Sequence, residues 1–422
     1  MKMLWGILKQ NTLYRNLWLG FNGRYLGSWI YRITLLTYAV QVLPHGIGIA
    51  WILMASEMPG VALSPWVGPW VDYLGARRVL VEINSLLAAL SIVLVFVVGV
   101  LHDTPVAIVI ISLLGMGGAF TGPARRALTT QIVTKADLAR INGLEVVTDA
   151  VILLSGSLIG GFLVASQSVA FGFSVTTFSF AWYAFWSLFL PRATIVDHTT
   201  NVAFPRFSYF QALREAFHMI YSNPVVTAVL GLGASWGIIG GSYYVLLSYV
   251  GSGALAANSS GIGLFYALDG VGQIVGGLFA GRWLGNRDGL SRLAIIGAYF
   301  LQAIFLVFFA HSFQLRMAII WLLLMRMTSG VVVTIDPLLL QRHVPQEYQA
   351  RIFALHGGFY GILMQASYLM GGWGIAALGA PALGTVLGGI SGFLGILLIG
   401  VAIRHGFLVP SKEPQNITHV PR

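Results

Sequence analysis

Four ionisable residues stand where the surrounding sequence offers them no water. Glu57 lies in Gly48-Ile-Ala-Trp-Ile-Leu-Met-Ala-Ser-Glu57-Met-Pro-Gly60 and is the sole Asp, Glu, Lys or Arg between Arg32 and Asp72. Arg32, Asp269 and Arg326 are set in similar apolar runs. A charge at the centre of a bilayer costs roughly 2.5–3.5 kcal/mol on insertion scales, so four of them need a reason. Burial disfavours an ionised carboxylate, and a nearby guanidinium favours it. A pair whose separation changes between two conformations therefore changes its hold on a proton, which is what coupling transport to protons requires. The structural alternative is a pair of buried salt bridges in which nothing moves. Both readings stand on these residues alone.

The elements that must position them follow from composition. Of 422 residues, 57% are hydrophobic and 9% charged, against about 25% charged in a soluble protein; mean hydropathy is +0.81. This is the composition of a polytopic helical membrane protein. Apolar runs bounded by charge, proline or glycine clusters give twelve spans, beginning near residues 24, 47, 79, 106, 143, 168, 225, 259, 290, 316, 352 and 382. Residues 150–191 and 352–403 contain no Asp, Glu, Lys or Arg and are each long enough for two spans. In this division all four buried charges lie near mid-depth. Pro59 removes a backbone hydrogen bond one turn from Glu57 and permits a kink.

The Lys and Arg residues orient the spans. Twenty of the 24 fall on the N-terminus, the even-to-odd connections and the C-terminus, and the odd-to-even connections hold only Arg316. The positive-inside rule then places both termini in the cytoplasm. The net charge of +10 is thus a matter of topology, and no basic patch with interleaved aromatics suggests nucleic acid. The N-terminal stretch through Arg15 reads as a cytoplasmic, interfacial segment. The chain has no cysteine, which excludes disulfides and thiolate chemistry. No Walker A sequence, His-Glu-x-x-His pair or metal-like histidine spacing occurs, so neither an enzyme, nor a cofactor, nor a metal is expected.

The longest polar connection, 191–223, divides the chain into a bundle over 1–190 and a bundle over 224–404, with a cytoplasmic tail at 405–422. The halves echo each other. Val133, Ala139-Arg140-Ile141 and Leu144 recur 211 residues later as Val344, Ala350-Arg351-Ile352 and Leu355. Glu57 and Asp269, 212 residues apart, hold equivalent places in the second and eighth spans. A parallel repeat of six spans is a transporter architecture with its site between the halves.

After the second span comes Gly68-Pro-Trp-Val-Asp72-Tyr-Leu-Gly75-Ala-Arg77-Arg78. It resembles the loop signature of the major facilitator superfamily, Gly-x-x-x-Asp-x-x-Gly-x-Arg-Arg. Gly68 allows a close helix approach, Asp72 pairs or caps, Gly75 permits the tight turn, and Arg77 and Arg78 hold the loop inside. Gly277, Gly281, Arg282, Gly285 and Arg287 echo it in the second half without the acid. Trp18-Leu-Gly20, Gly122-Pro-Ala-Arg125-Arg126 and Leu340-Gln341 through Arg351 are similar to the drug:proton antiporter branch that includes bacterial macrolide and enterobactin exporters. The resemblance covers almost the whole chain and implies twelve transmembrane helices in two pseudo-repeats. It also implies that Asp72 supports the outward-open state. The chain departs from the branch twice. Gly156-Ser-Leu-Ile-Gly160-Gly161 lacks the proline of the antiporter-type fifth-helix motif, and Ser28 stands where many members carry an acid.

Other residues have a functional and a structural reading side by side. Ser28, Trp29, Tyr31, Trp236, Tyr243, Tyr244, Tyr266 and Tyr360 could line an aromatic cavity; singly, packing explains each. His356 could relay protons or serve helix packing. Glu145 and Asp149 read as loop-pairing acids, and Asp336 as a partner of loop arginines. Gly156/Gly160 are a close-packing spacing.

The expectation is an all-α secondary transporter of a bacterial inner membrane, a monomer whose partners are a small molecule, protons and the bilayer. Proton-coupled efflux of a small amphiphile, drug- or siderophore-like, is the leading reading. An importer, a uniporter or a lipid flippase of the same fold is the alternative within transport, and a non-transporting membrane sensor the alternative outside it.

Overall fold

The computed structural model describes residues 8–9, 11–43, 46–191, 218, 220–221, 223–254, 258–284 and 287–404. The helices are α1 (Thr12–Val42), α2 (Ile47–Leu74), α3 (Ala76–Phe96, continued by a π turn to Leu101), α4 (Thr104–Ile132), α5 (Lys135–Ser166) and α6 (Val169–Ser187). The second set is α7 (Pro224–Tyr249, continued by a π turn), α8 (Asn258–Trp283), α9 (Asp288–Ala310), α10 (Leu315–His343) and the stretch Gln346–Arg404. Gly379, at φ 79°, interrupts that last stretch and divides it into α11 (346–378) and α12 (380–404). The positive φ is one that only glycine adopts freely. Among the described residues this makes twelve helices. Nine stretches are apolar and long enough to cross a membrane, and the longest, Leu355–Leu397, contains the bend and so holds two. The remaining two helices are α1, which carries three arginines, and α6, diluted by serine, threonine and tryptophan.

Three helices start well before the expected spans: α1 at 12 rather than 24, α5 at 135 rather than 143, and α11 at 346 rather than 352. An apolar run marks only the part of a helix that needs a nonpolar surround. The helix itself continues through polar residues as long as its backbone ladder is kept. At the start of α1, the Asn11 side chain accepts the Tyr14 backbone N–H and donates to the Ile132 carbonyl, joining that extension to the end of α4. The linker residues between 192 and 217, the tail 405–422 and the first seven residues lie outside the described residues.

Packing repeats between the halves. Helix α1 lies on α5 and α6, α2 on α4, and α3 on α4 and α6. In the second set α7 lies on α11 and α12, α8 on α10, and α9 on α10 and the last helices. The halves meet along α5–α8 and α2–α11.

That meeting is one-sided. Residues at mid-depth and towards the short connections form a single apolar core shared by both halves, including Ile33, Leu53, Phe173, Tyr243, Phe265 and Tyr368. Towards the chain termini each half has its own separate core. On the closed side, a Cβ on Gly161 of α5 would sit 3.0 Å from the Ser259 carbonyl oxygen of α8, and one on Gly372 of α11 would sit 2.6 Å from Ala50 Cβ of α2. On the terminus side no atom of the described residues comes within 4 Å of a Cβ on Gly118 or Gly122 of α4 or on Gly357 or Gly358 of α11. Among the described residues the halves are therefore closed on the side away from the ends of the chain and apart towards them.

Candidate functional site

Arg32, Glu57, Asp269 and Arg326 share one level. Arg32 is 10 residues before the end of α1 and Glu57 10 after the start of α2; Asp269 and Arg326 are each 11 residues into α8 and α10. At 1.5 Å per residue this is about 15–17 Å from the closed face, half-way through a core about 30 Å thick.

The structure brings these four residues together as two ion pairs of different character. Arg32 Nη1 lies 2.9 Å from Glu57 Oε1, with side-chain exposures of 25% and 29%. The other Glu57 oxygen accepts a 2.8 Å hydrogen bond from the Tyr368 hydroxyl of α11, so the carboxylate bridges the two halves. The Arg32 guanidinium also faces rings of the opposite half, 5.3 Å from Tyr244 and 5.6 Å from Tyr266. Tyr244 and Tyr266 stack at 6.0 Å, and Trp29 packs against Tyr266.

Asp269 and Arg326 form the second pair, Nε to Oδ1 2.8 Å, with side-chain exposures of 3% and 8% for Arg326 and Asp269. Here each group is caged within its own half. Tyr243 donates to Asp269 and lies under the Arg326 guanidinium; Arg326 also donates to Gln273 and, at 3.0 Å, to Ser329. A buried charge pair needs such extra partners, because desolvation costs several kcal/mol per ion. The first pair is thus wet and shared between halves; the second is dry and internal.

The remaining candidates sort by position. Tyr243, expected among cavity aromatics, is fully buried as part of the Asp269 cage, and Tyr266 is fully buried beneath Arg32. Both rings are enclosed because a guanidinium packs over their faces. Tyr31 packs on Phe173 of α6. The Ser28 hydroxyl donates to its own helix, at the Tyr25 carbonyl. Trp236 packs on Tyr243, and Tyr360 of α11 is partly buried against the shared core. Asp336 faces His356 of α11, Oδ2 to Nε2 3.4 Å. The side chain of the loop arginine Arg351 lies outside the described residues. Glu145 pairs with Arg125 of α4 at 2.7 Å and accepts from Tyr14 at 3.3 Å.

In the loop after α2, Gly75 has φ 85° with no neighbour crowding it, so the turn itself requires glycine. Arg77 donates to the Leu188 carbonyl at the end of α6, and Arg78 pairs with Glu82 on the surface of α3. The side-chain surroundings of positions 68 and 72 lie outside the described residues. Gly156 and Gly160 seat α5 against Trp29 and Ile30 of α1, while Gly161 faces Gly263 of α8. Sequence reading missed Tyr368. A lone tyrosine in an apolar helix gives no local sign of a partner 311 positions away. Among the described residues no group of three His, Cys, Asp or Glu could hold a metal.

A family model described as Major Facilitator Superfamily matches residues 17–367. The chain belongs to the major facilitator superfamily. An uncharacterized MFS-type transporter, y4rN, of Sinorhizobium fredii (strain NBRC 101917 / NGR234) is 22% identical over 261 residues, 61% of this chain and 63% of that protein. The match thus spans less than two thirds of that relative's length. Among solved structures, the nucleoside transporter NupG superposes with a TM-score of 0.67 at 13% identity, covering 92% of this chain and 98% of that one. A D-xylose–proton symporter gives 0.68 at 11%, covering 92% and 97%. A bacterial homologue of the iron transporter ferroportin, in an inward-facing state, gives 0.66 at 15%, covering 93% and 98%. These likenesses show the superfamily fold, a multi-pass membrane protein of the transporter class.

Proposed function

We propose that this chain is a proton-coupled secondary transporter of a bacterial inner membrane that exports a small amphiphilic molecule by alternating access. The bundles 1–190 and 224–404 rock about the central site, the 191–223 linker and both termini lie in the cytoplasm, and the state described above is open to the cytoplasm. The observation that carries the reading is the wet Arg32–Glu57 pair with its bond to Tyr368 in the other half. Here the carboxylate accepts from two donors, one in each half. Opening the opposite face must part the closed contacts of α2 with α11, and with them the Glu57–Tyr368 bond. Glu57 then keeps one donor and meets the external solution, where a proton is taken up. Closure returns Tyr368 and releases the proton inside. The internal Asp269–Arg326 pair holds α8 to α10 throughout. Asp72, in the last turn of α2, supports the outward-open state. The similarity of the loop motifs to drug:proton antiporters supports export by exchange.

Reconstitution tests this. Purified protein in proteoliposomes is given a panel of fluorescent amphiphiles, with a pH gradient of either sign or none. Antiport predicts that the amphiphile moves against the proton gradient. Movement with the protons identifies a symporting importer, and indifference to the gradient identifies a uniporter or flippase.

A further inference from the structure

The first half holds a second cation, half-buried, that the transport scheme leaves unused. Arg24 lies eight residues before Arg32 on α1, about 12 Å towards the open side. Its guanidinium carbon sits 4.0 Å from the centre of the Phe180 ring, in the seam between α1 and α6. Among the described residues no carboxylate pairs with it, and its Nε is sealed from solvent without an acceptor. Of the acids in this half, Glu57 pairs with Arg32 and Glu145 with Arg125, while Asp149 acts on Arg125 and Glu145 rather than on Arg24.

Two phenols act on the same guanidinium, Tyr31 from α1 and Tyr183 from α6. Both interact electrostatically with Arg24. Tyr183 is 1% exposed, held in place where a Cβ on Gly20 would meet its ring at 2.9 Å. Neither the Tyr31 nor the Tyr183 hydroxyl has a hydrogen-bond partner. Buried donors without acceptors are expensive, at about 1–3 kcal/mol each. Arg24 Nε and two phenol groups are therefore donors to which the described residues bring no acceptor.

We propose that Arg24, Tyr31 and Tyr183 form a binding site for a compact monovalent anionic group, floored by Phe180 between α1 and α6. The charge follows from one guanidinium with no competing cation; a dianion would remain half-neutralised in a low-dielectric seam. The size follows from the close seating of the helices, where a Cβ on Gly27 would overlap Ser179. A halide from solution and the carboxylate of a transported molecule share this chemistry. The site stands independently of the direction and coupling of transport.

The test is a titration of purified protein in detergent, in a buffer whose only anion is a bulky sulfonate, with sodium chloride and separately with sodium acetate, reading thermal unfolding. A ligand that binds only the folded state raises its stability as the logarithm of its concentration. We expect a rise that begins near Kd, reaches about 3 °C at a hundredfold excess over Kd and grows by about 1.5 °C for each further tenfold. The rise is lost in Arg24→Gln and kept in Arg316→Gln, which removes an exposed arginine on the other face. If Arg24→Gln does not fold, the double variant Tyr31→Phe/Tyr183→Phe keeps the packing and should raise the concentration at which the rise begins by about tenfold or more. A response to chloride alone assigns a free halide, and an equal or tighter response to acetate assigns a carboxylate. A wild-type protein whose unfolding temperature does not rise with either anion overturns the proposal. So does a response of equal size in Arg24→Gln, or an unmoved onset concentration in the double variant.

Discussion

The two central ion pairs have the same chemistry and depth, yet breaking them should have very different consequences for stability. Consider Arg326→Ala. It leaves Asp269 with 8% side-chain exposure and its main counter-charge gone. Stranding a buried charge costs about 3–5 kcal/mol. Arg32→Ala leaves Glu57 with 29% side-chain exposure and its Tyr368 donor intact, and a partly solvated pair is worth about 0–1 kcal/mol. With an unfolding entropy of about 2.1 cal/mol/K per residue, a chain of this length shifts by roughly 1 °C per kcal/mol. Thermal unfolding in detergent should therefore fall by about 3–6 °C for Arg326→Ala and by about 1 °C or less for Arg32→Ala. The decisive arm is the double variant Arg326→Ala/Asp269→Asn. If the cost is the stranded charge, removing that charge restores stability, and the double variant melts above the single one. Equal losses from Arg32→Ala and Arg326→Ala, or a double variant that melts lower than Arg326→Ala, would refute the distinction between a wet pair and a dry one.

Three further outcomes are expected. Gly161→Val places a branched side chain against the Ser259 carbonyl and Gly263; it should disfavour the closed face and raise the labelling of a cysteine introduced near it, with an unchanged labelling rate speaking against a tight α5–α8 seam. Because the chain has no native cysteine, single cysteines at Thr104 and Ala254 should react with an impermeant reagent from outside and one at Thr200 from inside; the opposite pattern overturns the orientation. Asp72→Asn should lose transport while keeping expression and substrate binding, and full transport in that variant removes the gating role proposed for it.

Much of this architecture is written in short stretches of sequence. The apolar runs mark the twelve spans, since each must match the bilayer thickness, and Gly75 announces a turn that only glycine makes freely. Arg32 and Glu57 are legible as partners because they are the isolated charges of consecutive spans at one depth. What is not legible depends on contacts far along the chain. Nothing near Tyr368 says that it meets Glu57. Tyr243 and Tyr266 read as cavity aromatics, but guanidinium groups cover them. Nor does anything near Asp336 point to His356 on the next helix. The difference between the two ion pairs also escapes the sequence, since water access is set by how the halves close.

The central claim is that Glu57 carries the proton. It is tested most directly in proteoliposomes holding an internal pH indicator, with an amphiphile found to be transported, by comparing gradient-driven accumulation with simple exchange in wild type and Glu57→Gln. The account predicts that Glu57→Gln exchanges labelled for unlabelled amphiphile at close to the wild-type rate, yet neither accumulates it against a pH gradient nor moves protons when it crosses. Accumulation of wild-type size with an unchanged pH profile in Glu57→Gln would contradict it, leaving Glu57 a structural partner of Arg32 and Tyr368.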